Sequence, residues 1–479
     1  MSTVAVAGAA GFVGSALVER LRARHQVVAL TRGNPDSRPS AERLSWRRCD
    51  LFSQRETERA LQGCDTAIYL VHSMLPAAHL TQGRFEDLDL LVADNFVRAA
   101  ATVGVRHIVY LGGIIPDGVE LSKHLLSRLE VERVLRSQGV PVTALRAAMI
   151  FGRGGSSMNI MARLVKRLPI MVCPAWTATR SRPIYIGDVL AALEHCIETP
   201  ETWGREYDIG GDTLVTYREM MEQLGSYLGR KPRAVSVPLL SPKISRLWVS
   251  VFSGAPKNLI APLIETLRHD MVPRADRALQ IPGHRYLSFS EMLELCFKPE
   301  ASGRAVEQPR AFSLPDDERL RTTVRSVQRL HLPPGMSAPD VAELYVDWLS
   351  KHLRPFIRAV ATRQLDRGHR ICEFSLTGLP WKLLVLEMRE ERGTVDSAEF
   401  IIRSGMLVKG DGRKGEGGRF EFRLFPEQQS LIAAIHDFHP RLPWFVYIWT
   451  QAKIHLYVMR AFDRYLRSRV ALGSGQVRG

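Results

Sequence analysis

The apolar positions of the first 150 residues come in short runs separated by amphipathic stretches. Val4-Ala-Val-Ala7, His25-Gln-Val-Val-Ala-Leu-Thr-Arg32, Thr66-Ala-Ile-Tyr-Leu-Val71 and His107-Ile-Val-Tyr-Leu111 are β-rich and bounded by glycine or polar residues. Between them, residues 88–101 and 121–137 place their apolar side chains at helical spacing. Strand alternating with helix predicts an α/β fold, a doubly wound parallel sheet covered on both faces. From residue 142 the pattern loosens into short strands and loops around helices such as 218–228, which predicts a small substrate-covering subdomain that completes a first domain over residues 1–300.

Residues 301–320 carry Pro, Gly and charge without an apolar period and read as a linker. Residues 321–479 follow another rule. A strand-like 324–332 precedes a helix over 339–353; strands follow near 371–376, 382–388, 398–407, 420–425 and 430–436, and a long helix over 444–467 closes the chain. This α+β order predicts an antiparallel sheet wrapped around a helix and an apolar cavity.

The turn after the first strand carries the clearest chemistry. In Val4-Ala-Val-Ala-Gly-Ala-Ala-Gly-Phe-Val-Gly14, Gly8 permits a tight turn and Gly11 lets backbone N–H groups approach a pyrophosphate. Gly14 lets the helix bearing Leu17, Val18 and Leu21 pack on the strand, and that helix points its N-terminus at the anion. At the end of the second strand stands Thr31-Arg32-Gly33, where an acidic residue would select a ribose 2′-hydroxyl. A guanidinium complements a 2′-phosphate, so NADP(H) is favoured over NAD(H). The strand-like run Arg47-Arg-Cys-Asp-Leu51 that follows the second strand ends in the carboxylate of Asp50, which suits an adenine edge.

Composition excludes several classes. With 479 residues, 45% of them hydrophobic, the chain is globular and long enough for two or three domains. Its net charge of +15 is scattered and arginine-rich, without the basic block of a nucleic-acid arm, so no specific nucleic-acid partner is expected. The six cysteines lie far apart with no C-x-x-C pair, which argues against a zinc site or disulfide framework and for a reducing cytoplasm. The apolar N-terminus lacks the basic flank of a signal peptide, and the stretches at 247–264 and 444–449 are too broken or too short to span a bilayer.

Gly8-Ala-Ala-Gly-Phe-Val-Gly14, Asp50-Leu51, Tyr69-Leu-Val-His-Ser-Met74, Tyr110-Leu-Gly-Gly113, Leu145-Arg-Ala-Ala-Met-Ile-Phe-Gly152 and Pro183-Ile-Tyr-Ile-Gly-Asp188 together resemble the atypical, extended short-chain dehydrogenase/reductases of the NmrA-like kind. That group includes bacterial NAD(P)-binding proteins and the Rossmann accessory subunit of respiratory complex I. The resemblance implies a Rossmann fold in which Gly8, Ala10, Gly11, Phe12, Val13 and Gly14 line the pyrophosphate and Arg32 the 2′-phosphate. It puts Asp50 and Leu51 at the adenine, and Leu70, Val71 and His72 on the ribose and nicotinamide side. The element order of residues 321–479 resembles START-like or polyketide-cyclase helix-grip domains.

The catalytic pattern departs from that family. Where a Y-x-x-x-K pair would stand, the helix reads Ser122-Lys-His-Leu-Leu-Ser-Arg-Leu-Glu130, with His124 at the tyrosine and Arg128 at the lysine. One helical turn keeps both on one face. Gly112-Gly113 replaces the usual serine or threonine. A histidine titrates near neutrality and so could handle the proton, although the adjacent Arg128 disfavours its charged form.

Three readings follow. The first is an oxidoreductase acting with NADP(H) on an apolar carbonyl or quinone-like substrate; the second is a non-catalytic NADP(H) sensor or assembly factor; the third, a sugar-nucleotide epimerase or dehydratase, is weakened by the missing tyrosine. Of the remaining motifs, His436 and His439 lack a third metal ligand and read as a strand-to-helix corner, so no metal site is expected. The glycines of residues 410–418 read as a hairpin loop. Trp444, Phe445, Tyr447, Ile448, Trp449, Ile454, Leu456 and Tyr457 surround their helix, leaving cavity lining, interdomain packing or peripheral contact with a membrane or protein open.

Overall fold

A computed structural model describes residues 1–72, 80–167, 170–230, 233–237, 265–297, 323–355, 357–364, 369–389, 393–409 and 418–475. Met74, the stretch 247–264, the linker 301–320 and most of the glycine loop 410–418 lie outside the described residues. The chain divides into two compact units: residues 1–75 with 89–316, and residues 76–88 with 317–479.

In the first unit, β1 (Thr3–Ala7), β2 (Gln26–Thr31), β3 (Leu44–Arg48), β4 (Thr66–Tyr69), β5 (His107–Gly113), β6 (Val142–Ala147) and β7 (Glu206–Ile209) form a sheet in the order β7-β6-β5-β4-β1-β2-β3. Every pairing is parallel. Every residue of β4 is buried, the expected consequence of helices on both faces of a central strand. One face packs α1 (Phe12–Leu21) through Leu17, Val18 and Leu21 against Val4, Val6, Val27 and Ile68. Each such fully buried Val or Leu contributes about 1.5–3 kcal/mol. The other face carries α3 (Phe85–Thr102), whose Phe96 meets Tyr69 edge-on at 4.9 Å.

Beyond β6, a second apolar cluster joins α5 (Ser156–Arg167), α7 (Tyr217–Tyr227) and α8 (Phe289–Phe297) through Met158, Met161, Met220, Met221 and Met292 around Phe151 and Phe289. Methionines suit this irregular packing because an unbranched thioether fills uneven gaps. It is the small subdomain expected from the sequence.

Among the described residues the second unit holds eight strands. β8 (Val324–His331), β9 (Ile357–Gln364), β10 (His369–Leu376), β11 (Lys382–Arg389), β12 (Ser397–Ser404), β13 (Arg419–Phe425) and β14 (Ser430–Phe438) are ordered β9-β10-β11-β12-β13-β14-β8, all antiparallel. The eighth strand comes from elsewhere in the chain: Leu80–Gln82 pairs parallel to β8, Val324 opposite Leu80 and Ser326 opposite Gln82. This corrects the expectation of two contiguous domains. Without that strand, β8 would present unpaired N–H and C=O groups as an open edge.

Within this sheet β13 alternates: Phe420, Phe422 and Leu424 enter the core, while Arg419, Glu421 and Arg423 take the other face. On the apolar side lies α9 (Ala338–His352), started by a capping box in which Ser337 accepts from Asp340 N and the Asp340 carboxylate accepts from Ser337 N. Its Tyr345 packs against Phe420, Phe422 and Phe462 with ring centroids 5.1–5.4 Å apart. These rings form an aromatic cluster in the core of the second unit. Two further differences concern elements. β9 escaped sequence reading because Ile357-Arg-Ala-Val-Ala-Thr-Arg-Gln364 mixes small and charged residues. The closing helix is two helices, α10 (Trp444–Trp449) and α11 (Gln451–Gly475), broken at Thr450 with ψ −87°. The Thr450 hydroxyl donates to Val446 O at 2.6 Å, the local competition with helix geometry that such residues introduce. Among the described residues, no helix is long and apolar enough to cross a membrane.

Candidate active site

The carboxyl ends of β1–β4 bring the predicted nucleotide-binding residues to one edge of the parallel sheet. Gly8 has φ +87°, a conformation that favours glycine, and a Cβ there would stand 3.1 Å from Leu70 O. A Cβ on Gly14 would collide with the Gly8 carbonyl oxygen, so α1 lies against the turn as closely as backbone permits. Gly11 N donates to Gly8 O at 2.9 Å, and Gly11 caps α1 with no side-chain acceptor and no acidic residue in the first turn. An anion would meet the positive end of α1 there without a competing carboxylate on that turn. Ala10 is exposed, and the Phe12 ring lies where a Cβ on Gly152 or Gly155 would stand 2.8 or 3.0 Å from it, which explains those glycines.

Arg32 follows β2 directly and is half-buried, with Gly33 N donating to Thr31 Oγ1 at 3.2 Å. Asp50 accepts from Phe52 N at 3.3 Å, and Leu51 is buried with its carbonyl accepting from Asn95 Nδ2 at 3.1 Å. Val13, Leu70, Val71 and His72 are half-buried along the same edge.

His72 leads into a second group of residues. Its Nε2 lies 3.2 Å from His124 Nε2, and His124 Nδ1 lies 3.1 Å from Thr266 Oγ1. Thr266 in turn is 3.3 Å from the hydroxyl of Ser122, the N-cap of α4 (Lys123–Leu135). At the other end His72 Nδ1 is 3.0 Å from Asp89 Oδ2 and 2.6 Å from Arg128 Nη2, and Arg128 Nη2 donates to Asp89 Oδ2 at 2.5 Å. His124 and Arg128 thus share one face of α4, as their spacing required, but Arg128 is paired through Nη2 with a carboxylate that the sequence reading missed. Asp89 sits on α3 in Leu88-Asp-Leu-Leu-Val92, where a lone acid inside an apolar helix face was the available signal. Thr266 has no comparable signal in its sequence surroundings.

The phenol of Tyr110 donates to Arg128 O at 3.1 Å, and its ring lies where a Cβ on Gly112 would stand 2.8 Å away. The glycine that replaces the expected serine therefore makes room for the tyrosine that braces α4. Further along, Glu132 takes two hydrogen bonds from buried Arg146, at 2.9 and 3.0 Å, which fixes the helix against β6.

Burial lowers the pKa of His72, with Arg128 adding to the effect and Asp89 opposing it. Burial, His72 and Arg128 push His124 well below its ordinary value. This corrects the expectation of a histidine titrating near neutrality: both rings are neutral at pH 7. Two proton arrangements are then self-consistent. In one, His72 Nδ1–H donates to Asp89, His124 Nε2–H to His72 and the Thr266 hydroxyl to His124. In the other, Arg128 donates to His72 Nδ1, His72 Nε2–H to His124 and His124 Nδ1–H to Thr266. Entry of one proton at His72 Nδ1 and exit of one from Thr266 interconverts the two without charging either ring.

The other candidate chemistry is structural. His436 is a buried strand residue 3.5 Å from Glu421 Oε1, while His439 Nδ1 lies 3.1 Å from Asp437 O. Among the described residues no group of three metal-ligating side chains occurs. All six cysteines are buried, and burial raises their thiols, Cys49 and Cys196 to about 12. Such thiols stay protonated and inert.

Residues 4–210 match the NAD dependent epimerase/dehydratase family. The match covers the parallel sheet of the first unit. A nucleoside-diphosphate-sugar epimerase from Staphylococcus aureus shares the fold of this Rossmann unit at TM-score 0.51 and 19% identity, covering 61% of this chain and all of that one. Among curated relatives, the auxiliary protein GraX of Staphylococcus aureus is 29% identical over 110 residues, 23% of this chain and 36% of GraX. A (4-alkanoyl-5-oxo-2,5-dihydrofuran-3-yl)methyl phosphate reductase of Streptomyces griseus is 29% identical over 244 residues, 48% of this chain and 75% of the reductase. The chain thus spans only about a third of the length of the first relative.

Proposed function

We propose that the epimerase/dehydratase-type unit is an NADP(H)-dependent reductase of an apolar carbonyl or quinone-like compound in the cytoplasm. The observation that carries this reading is the chain Asp89–His72–His124–Thr266, which can hand on a proton while its rings stay neutral. Arg32 would hold the 2′-phosphate, the turn Gly8–Gly14 the pyrophosphate, Asp50 and Leu51 the adenine, and Leu70 and Val71 the ribose side. When bound, NADPH supplies the hydride. Hydride addition at a carbonyl carbon leaves an alkoxide that needs one proton; the Thr266 hydroxyl gives it, is refilled from His124 Nδ1, and a proton entering at His72 Nδ1 closes the balance. Arg128 has two tasks, orienting His72 and neutralising Asp89, so it is a positioning residue rather than a substitute for a ribose-binding lysine.

Titration with both dinucleotides tests the cofactor: NADPH should bind more tightly than NADH, and Arg32→Asp should lose that preference at about 1.5–3 kcal/mol per charge-assisted bond removed. NADPH oxidation against a carbonyl and quinone panel tests the chemistry. His124→Ala should keep cofactor binding and lose turnover; equal rates in that variant would overturn the relay. A second reading, a non-catalytic NADP(H) sensor, is supported by the likeness to a protein described as auxiliary and by the depressed histidines. Wild type inert across the whole panel would favour it.

A further inference from the structure

The two closing helices of the second unit expose what a globular interior would use. Phe445 is 72% exposed, Trp449 69%, Ile454 59% and Tyr457 57%. Their spacing is not scattered. Phe445 and Trp449 stand one turn apart on α10, with Ile448 between them also exposed, and Ile454 and Tyr457 stand one turn apart on α11. The bend at Thr450 does not separate the two sets, because Lys453 Nζ on α11 sits 3.9 Å above the Trp449 ring on α10. From Lys453 the exposed stripe continues through Tyr457, Arg460, Arg464 and Arg467 at helical spacing. Asp463, the acid in this stretch, is half-buried and accepts from His331 N at 2.8 Å as well as from Arg467.

The surface is therefore aromatic and apolar at one end and cationic at the other. A groove of about 400 Å³ borders it, lined by Leu456 and Arg460 together with Arg84, Arg329 and Gln328. Asp87 lies in the groove and is shared by Arg84 and Arg329, so cations outnumber acids there.

We propose that α10 and α11 dock the protein on an anionic phospholipid surface, with Phe445, Trp449 and Ile454 entering the interfacial layer and Lys453, Arg460 and Arg464 meeting phosphate headgroups. Lying in the interface is the arrangement such a face supports: aromatic rings favour the headgroup level, long basic side chains reach outward from it, and neither described helix spans a bilayer. Charge complementarity selects the lipid surface over a second copy of this chain, whose facing stripe would carry the same cations. The inference does not depend on the reductase reading.

The test is co-sedimentation of the full chain with phosphatidylcholine vesicles, with and without phosphatidylglycerol, followed by tryptophan fluorescence. Binding should require phosphatidylglycerol, weaken as salt is added and shift the emission to shorter wavelength. W449S/I454S should reduce vesicle partitioning by about tenfold or more without altering the far-UV spectrum, since both side chains are exposed. R460E/R464E, which leaves the apolar set intact, should remove the salt-sensitive part. No binding to phosphatidylglycerol vesicles, or undiminished binding by W449S/I454S, overturns the proposal. So does a wild-type dimer in light scattering that W449S/I454S dissolves, which would assign the face to a second copy.

Discussion

Both units bury ionisable side chains, and they treat them in opposite ways. In the first unit His72, His124, Asp89 and Arg128 converge on one chain of contacts at 2.5–3.2 Å, and both rings are held neutral. In the second, the face of the sheet opposite the aromatic core carries Glu399, Arg419, Glu421, Arg423, His436 and Asp437 in looser pairs at 3.5–3.8 Å. Burial alone would raise the Glu421 carboxyl, yet Arg423, His436 and Arg419 hold it well below the usual carboxylate range. Neutral groups in a continuous line suit proton movement; alternating charges suit the alignment of strands. A buried polar cluster is evidence of chemistry when neutral rings pass protons along it, and of architecture when opposite charges hold neighbouring strands.

The sharpest way to break this contrast is to remove the one carboxylate that Arg128 shares with His72. Asp89→Ala leaves a buried guanidinium without its acid and should cost about 3–5 kcal/mol in urea denaturation, with Asp89→Asn costing less because its amide oxygen still accepts. NMR of the imidazoles in the Asn variant should show His72 depressed further, since Asp89 is what raises it. An unchanged denaturation midpoint would mean that the cluster is not the tight unit described.

Acid separates the units next. His107, stacked on Trp203 and hydrogen-bonded to Thr143, is pushed down to about 4 by burial, and His72 and His124 are lowered too. A group depressed in the fold is neutral there while the unfolded chain takes up its proton, so the stability present above pH 6.5 drains away as pH falls toward the folded value. For His107 alone the full loss is about 3 kcal/mol. His455, also pushed down to about 4, gives the second unit the same window. From pH 4.5 downward two depressed acids of the second unit add to the fall, because the unfolded chain takes up protons that Glu421 and Asp437 still refuse in the fold. Urea midpoints taken from pH 7 down to 3 should show His107→Gln relieving the upper part of the fall and leaving the lower part. A smaller effect, about 1–3 kcal/mol, is expected for Glu421→Gln, since the amide retains an acceptor for its neighbours.

The first unit was far more legible than the second. Its strands are buried on both faces and read as continuous apolar runs, and its glycines obey a backbone rule: Gly8 needs positive φ and Gly14 tolerates no Cβ. The spacing of His124 and Arg128 was local and readable; their partners Asp89 and Thr266 come from distant segments, which no periodicity reports. In the second unit, Ala433 and Ala434 on β14 are both buried while β9 mixes cations with small residues, so alternation was blurred. The strand Leu80–Gln82 is three residues long and owes its existence to an edge built more than two hundred positions later. The break falls at Thr450, inside a run of apolar and aromatic residues whose helical spacing does not report it. The aromatic cluster depends on how Tyr345 meets rings from β13 and α11, a property of tertiary packing alone.

The finest comparison sets one device against itself in the two units. Thr216 starts α7 with a capping box, accepting from Glu219 N at 3.2 Å while the Glu219 carboxylate accepts from Thr216 N at 2.6 Å. Ser337 starts α9 the same way with Asp340, at 3.3 and 2.9 Å. Both boxes satisfy two helix N–H groups that no backbone carbonyl reaches, so Thr216→Ala and Ser337→Ala should each cost about 1 kcal/mol. The consequences differ in place. α7 packs its Met220, Met221 and Leu224 into the methionine-rich cluster, which can readjust, whereas α9 carries Tyr345 into rigid aromatic contacts. Hydrogen exchange should therefore show opening confined to the first turn of α7 in Thr216→Ala, but spread through α9 to β13 in Ser337→Ala. Equal, local opening in both would mean that the aromatic core holds α9 no more cooperatively than methionines hold α7.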